Sequence, residues 1–133
     1  MREITELLKI ISDRTRLRIL MLLQKKELCV CQLMAVLGIS QPLVSRNLSL
    51  LIRSGFLEDR REGKMIFYKI NTRAQKNQTL LIKMLKKLLA NDKTLKKDIK
   101  SLSECSEYQK KTGKCGLKAY VEYMEDKKRS GRK

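Results

Sequence analysis

The sequence predicts a mainly α-helical fold with one small β-hairpin, built to pair with a second copy of itself. Three observations carry that reading. Apolar residues recur at three-and-four spacing through roughly residues 3–90, the pattern of helices with one buried face. A tight glycine-containing turn, Gly38-Ile39-Ser40-Gln41-Pro42, joins a short helix to a basic one. Directly after that basic helix, a charged segment and an alternating segment flank Glu62-Gly63, a hairpin pattern.

Ile4, Leu7, Leu8 and Ile11 define a first helix ending before Ser12-Asp13, and either of those two residues can cap the next. The second helix runs from roughly Arg14 to Lys25, with Leu17, Ile19, Leu20, Leu22 and Leu23 as a broad apolar face. Leu28 to Leu37 reads as a short third helix stopped by Gly38. Ser40 is a good N-cap for a fourth, from about Gln41 to Ser54. Pro42 is tolerated in its first turn, where an N–H would lack a helical partner anyway. Val44, Leu48, Leu51 and Ile52 lie on its core side, and Gly55 ends it. A hairpin from Leu57 to Ile70 placed directly after such a helix makes a winged helix-turn-helix.

Asn71-Thr72 then caps a long helix whose Leu80, Leu81, Met84, Leu85, Leu88 and Leu89 form an apolar stripe in need of a covering surface. A second copy supplies that surface, giving a homodimer suited to a two-fold DNA site. The division falls at residue 92. Residues 1–92 form the DNA-binding and dimerisation unit, and residues 93–133 a basic extension with two cysteines, partly disordered. Within the extension, Leu95, Ile99 and Leu102 prolong the helix or begin another after Asp92. Thr112 to Gly116 reads as a turn, Leu117 to Met124 as a short helix, and Lys127 to Lys133 as a basic end.

Charge sets the partner. The chain of 133 residues carries a formal charge of +17 and no histidine. Residues 1–92 hold 18 Lys and Arg against 8 Asp and Glu, and residues 93–133 hold 13 against 6, so both parts are basic. Neutralising phosphates and releasing their counterions gives such a surface a strong, salt-sensitive affinity for nucleic acid. Two Phe, four Tyr and no Trp are too few for single-strand stacking platforms, which leaves double-stranded DNA. No apolar run reaches the roughly 20 residues of a membrane span, and the N-terminus lacks a signal-peptide layout. No membrane partner is expected, and the reading is cytoplasmic with reduced thiols.

Glu27-Leu28-Cys29-Val30-Cys31-Gln32-Leu33 places two thiols one residue apart just ahead of the recognition helix. With no imidazole in the chain, any metal site must use sulfur, or sulfur plus oxygen. This motif, and Ser40-Gln-Pro-Leu-Val-Ser-Arg-Asn-Leu-Ser-Leu-Leu51 followed by Gly55-Phe-Leu57 and the wing, resemble the ArsR/SmtB family of metal-responsive repressors over roughly residues 3–90. The resemblance implies a dimeric winged helix-turn-helix repressor that releases its operator when a thiophilic ion binds the Cys-Val-Cys thiols. Two departures stand out. Met34 occupies the position of the third cysteine of arsenic-responsive members, and Asn47 that of a histidine common before the helix-four leucine. The family's zinc and nickel sites need histidines, and its cadmium and lead sites recruit N-terminal cysteines that residues 1–28 lack.

As(III) and Sb(III) take three thiolates in a pyramid, whereas Cd(II) and Pb(II), the less favoured inducers, accept three or four sulfurs. Cys29 and Cys31, at i and i+2, do not share a helix face, so they converge on one ion only if the helix start is irregular. Cys105 and Cys115 are the candidates for the missing sulfur, Cys115 in a glycine-flanked turn and Cys105 on a polar, exposed helix or loop. A thiol-redox switch and a nucleoid-type DNA-binding protein with inert cysteines are the alternatives. No organic cofactor is expected. Neither Cys105 nor Cys115 begins a Cys-x5-Arg loop and no histidine base exists, so an enzyme has no residues behind it.

On the recognition helix Gln41, Pro42, Ser45, Arg46 and Ser49 face outward. Gln41 and Arg46 suit adenine and guanine edges, and Ser45 either. Ser45, Ser49 and Arg53 equally suit phosphate contacts, and Arg60, Arg61 and Lys64 around the wing turn suit phosphate or the minor groove.

Overall fold

A computed structural model describes residues 1–73 and 76–112 and residue 125, with the backbone alone at 108–112. Cys115, the reading of 113–124 as turn and short helix, and the basic end lie outside the described residues. The element order is α1 (Arg2–Ile11), α2 (Arg14–Lys25), β1 (Leu28–Cys29), α3 (Val30–Leu37), α4 (Gln41–Arg53), β2 (Leu57–Glu62), β3 (Met65–Ile70), α5 (Lys76–Leu88) and α6 (Lys93–Thr112). Among these, no single helix is long and apolar enough to cross a membrane.

Local chemistry sets the ends of these helices. Asp13 caps α2, its carboxylate accepting the Arg16 N–H at 3.0 Å, while Ser12 closes α1 by donating its hydroxyl to the Lys9 carbonyl. Ser40 caps α4 by accepting from the Leu43 N–H, with Pro42 in the first turn. Gly38 ends α3 in the left-handed conformation, φ 67°, a backbone that costs glycine nothing. Gly63 does the same at the hairpin tip, φ 61°.

Helix α2 is the hub. Residues Ile19 to Leu23 are all buried, and the helix packs on α1, α4, α6 and β3. Val44, Leu48 and Leu51 of α4 and Leu33 of α3 close the same core, with Phe56 and Leu57 leading into the hairpin.

Three expectations are corrected. The segment Leu28 to Leu37 is not helical throughout. Leu28 and Cys29 form β1, antiparallel to β3, so the hairpin becomes a three-stranded sheet in the order β1-β3-β2. Extended backbone buries both residues, at 0% and 2% exposure, and gives the inner edge of β3 a partner. Asn71 turns the chain: its side chain donates to the Gly55 carbonyl at 3.1 Å and accepts from the Arg73 N–H, and α5 is described from Lys76. The α5 stripe splits, with Leu85 buried as Ile82 is, and with Leu80, Met84 and Leu88 exposed; Ile4 and Leu8 of α1 are exposed as well.

Beyond residue 92 the chain begins a separate helix, capped by Asp92, whose carboxylate accepts the Leu95 N–H at 3.1 Å. Helix α6 packs on α2 and α3, and Leu95, Leu102 and Cys105 join the common core. A fork fastens it: Arg18 Nε and Nη2 donate to the two carboxylate oxygens of Asp98 at 2.9 and 2.8 Å. Asp98 is 3% exposed, whereas the Arg18 side chain keeps 24% of its surface in solvent. Removing either partner therefore has unequal effects. Arg18→Ala strands a buried carboxylate and should cost about 3–5 kcal/mol. Asp98→Ala leaves a guanidinium able to reach water and should cost about 1–3 kcal/mol. Urea unfolding midpoints measure both, and equal losses would contradict the asymmetry.

Candidate nucleic-acid interface and thiol site

Helix α4 presents Gln41, Pro42, Arg46, Ser49 and Arg53 to solvent, and Ser45 is half-buried. Val44, Leu48 and Leu51 anchor the opposite side. Asn47 is also buried, and its role is structural: Nδ2 donates to the Leu43 carbonyl at 3.0 Å and Oδ1 accepts from Arg16 Nη1 at 3.0 Å. The same guanidinium donates to the Ile10 carbonyl, so one arginine joins α1, α2 and α4. Further along, Gln78 of α5 donates to the Ser54 carbonyl at 2.8 Å, which holds the end of α4. The reading helix is thereby held at its middle, through Asn47, and at its C-terminal end, through Ser54, both away from its exposed surface.

In the wing, β2 and β3 pair from Leu57↔Ile70 to Glu62↔Met65. Arg61 and Lys64 stand exposed at the tip and make no ion pair among the described residues. Arg60 differs. Its Nε and Nη2 donate to the two carboxylate oxygens of Glu27, each at 3.2 Å, and Nη1 donates to Glu62 at 2.9 Å. Its guanidinium lies 5.1 Å from the centroid of the Phe67 ring. Hydrogen bonds from Arg60 hold the Glu27 carboxyl below the usual carboxylate range.

Cys29 is the N-cap of α3, extended at φ −94° and ψ 171°, and it shares a capping box with Gln32. Gln32 Oε1 accepts the Cys29 N–H at 2.9 Å. Cys31 lies in the first turn of α3 and is half-buried. Cys29 stands outside the helix, so the two thiols leave the chain from differently shaped backbone, one extended and one helical. Met34 is buried in the core. Cys105, expected on an exposed helix or loop, is instead buried on α6 because that helix packs against α2 and α3, and its neighbour Ser106 accepts from Lys26 Nζ at 3.2 Å, three residues ahead of Cys29. Among the described residues no three Cys, Asp or Glu side chains form a group able to hold a metal ion.

Sequence reasoning missed Gln32, Glu27 and the Arg16–Asn47 link. A Ser/Thr-x-x-Glu/Gln pattern signals a capping box, and Cys29-Val-Cys-Gln32 is that pattern with sulfur in place of the hydroxyl. The other contacts join residues 31 and 33 positions apart and leave no local signal.

Comparison with known proteins agrees with this geometry. A family model described as bacterial regulatory protein, arsR family, matches residues 13–59. The arsenical resistance operon repressor of Escherichia coli (strain K12) is 49% identical over 67 residues, which are 50% of this chain and 57% of that protein. This chain therefore spans little more than half of that relative. The arsenic resistance transcriptional regulator ArsR1 of Pseudomonas putida is 35% identical over 100 residues, 74% of this chain and 77% of that protein. Among solved structures, the homodimeric winged helix-turn-helix DNA-binding domain of Mb0332 from Mycobacterium bovis matches with a TM-score of 0.57 at 26% identity, over 69% of this chain and 82% of that one. With helix-turn-helix, wing and Cys-Val-Cys segment in place, the chain belongs to the arsR family of bacterial regulatory proteins.

Proposed function

We propose that this chain is a homodimeric transcriptional repressor. It binds a two-fold DNA operator and releases it when As(III) or Sb(III) is bound by thiolates of Cys29, Cys31 and one cysteine from the C-terminal segment. The observation that carries the reading is the placement of Cys29. It is an extended N-cap on the element immediately before the recognition helix, with Cys31 in the turn that follows. The positive end of the α3 dipole favours negatively charged sulfur there. Sulfur binding that reshapes this helix start disturbs the support of α4, so the operator-competent arrangement loses population.

Of the two candidates for the third sulfur, Cys105 has the structural support. It is buried on α6 against the core that α3 shares, with Ser106 tethered to Lys26. Cys115 remains the alternative donor. The arsenical names of the relatives support a metalloid inducer ahead of Cd(II) or Pb(II). The bare side chains Ile4, Leu8, Leu80, Met84 and Leu88 on α1 and α5 support dimerisation, as does the homodimeric neighbour.

Native mass spectrometry of the reduced protein with arsenite tests the site. One arsenic per chain with loss of three protons is expected, abolished by Cys29→Ser and by Cys105→Ser but retained in Cys115→Ser. Retention in Cys105→Ser with loss in Cys115→Ser would move the third ligand to Cys115. No uptake by the unmodified chain would end the metalloid reading in favour of a redox switch or plain DNA binding.

On DNA, Gln41, Arg46 and Ser45 read base edges, while Ser49, Arg53 and the wing residues Arg61 and Lys64 hold phosphates. Arg46→Ala should relax sequence preference at a cost of about 1–3 kcal/mol at one base position. Lys64→Ala should weaken all sequences alike and lower the salt slope by about one unit. Titrations on operator and scrambled duplexes at several salt concentrations separate the two effects.

A further inference from the structure

Arg60 is the basic wing residue whose guanidinium the fold has already engaged. Three of its five N–H donors are used, two by Glu27 and one by Glu62, and its face lies over Phe67. With two carboxylates already bound to it, the Arg60 guanidinium is neutralised where it stands and is a poor partner for phosphate. Arg61 and Lys64, one and four residues on, carry no such counter-charge among the described residues.

The register gives the cluster a use. Phe67 of β3 is the partner of Cys29 on one side and of Arg60 on the other, so one rung of the sheet runs Cys29–Phe67–Arg60. Directly paired residues share a face of the sheet, and Glu27, two residues before Cys29, falls on that face too. From there its carboxylate spans β3 to reach Arg60 on β2. The segment that leads into the thiols and the strand that leads to the wing tip are therefore held together twice, by backbone pairing through β3 and by the side-chain clasp.

We propose that Glu27 and Arg60 are positioning residues, and that Arg60 acts by tying the wing to the thiol segment and not by touching DNA. A shift of β1 is then transmitted along the rung to the tip carrying Arg61 and Lys64. This rests on the proposed function insofar as sulfur binding is what moves β1. It makes the wing, as well as α4, a recipient of the inducer signal.

The test measures operator affinity with and without arsenite, across salt concentrations, for Glu27→Gln, Arg60→Lys, Arg60→Ala and the exchange Glu27→Arg/Arg60→Glu. Arsenite uptake is read separately by native mass spectrometry. Arg60→Lys keeps a charge for phosphate but loses the planar fork. If the proposal holds, Arg60→Lys and Glu27→Gln behave alike. Arsenite uptake and salt slope stay as in the unmodified chain, and the arsenite-induced loss of operator affinity shrinks from the roughly 5–150-fold of ordinary allosteric coupling to about 1–3-fold. The charge exchange restores the response.

If instead Arg60→Ala lowers the salt slope by about one unit while Arg60→Lys matches the unmodified chain, Arg60 is a phosphate contact and the proposal is overturned. An unchanged arsenite response in Glu27→Gln overturns it as well. Should the unmodified chain take up no arsenite, it is the inducer reading that fails. The salt slopes of the Arg60 variants still decide whether that residue touches DNA.

Discussion

Two residues of extended backbone constrain most of what this molecule can do. Leu28 and Cys29 must pair with β3 to satisfy their main chain while buried, and that pairing fixes where α3 begins. The start of α3 sets the approach of the turn at Gly38 and hence the course of α4. The same two residues close the inner edge of the wing sheet. A segment that would otherwise be a connection between helices is therefore structurally part of both halves of the DNA-facing surface. Cys29 lies where the two meet.

The elements specified by local chemistry are legible in the sequence alone. Caps at Asp13 and Ser40, the stop at Gly38, the hairpin at Glu62-Gly63 and the core faces of α2 and α4 all follow from neighbours a few positions apart. The outward face of α4 was legible for the same reason, since a single helix of known phase determines it. Strand β1 was not. Leu28 and Cys29 are too few to show alternation, and their apolar character merges into the helix that follows. Only the presence of an unpaired edge on β3, some forty positions away in sequence, makes them a strand.

Charged residues with distant partners were equally opaque. Asp98 sits among lysines in a helix that reads as solvated, yet it is buried because Arg18, 80 positions earlier, meets it. Arg60 reads as one more basic side chain near a wing turn. Its engagement with Glu27 depends on the three-strand order, which itself depends on β1. The α5 stripe reads as one surface in the sequence because helical spacing alone does not separate Leu80, Met84 and Leu88 from Leu85. The position of α5 against α4, through Gln78 and Ser54, makes that separation.

The attachment of α6 has a consequence for how such a protein can change over generations. This helix is joined to the rest by a charged fork and a few apolar residues, and it lies against α2 and α3, with no part in the outward face of α4. Met34 meanwhile fills a core position within α3, where a change of side chain would alter packing beside the reading helix. A change of side chain at Cys105 acts first on the core that α6 shares with α2 and α3, one step removed from the outward face of α4. Of the described cysteines proposed as ligands, Cys105 alone thereby sits on a piece of chain apart from α4, while Cys29 and Cys31 share the segment that leads into it.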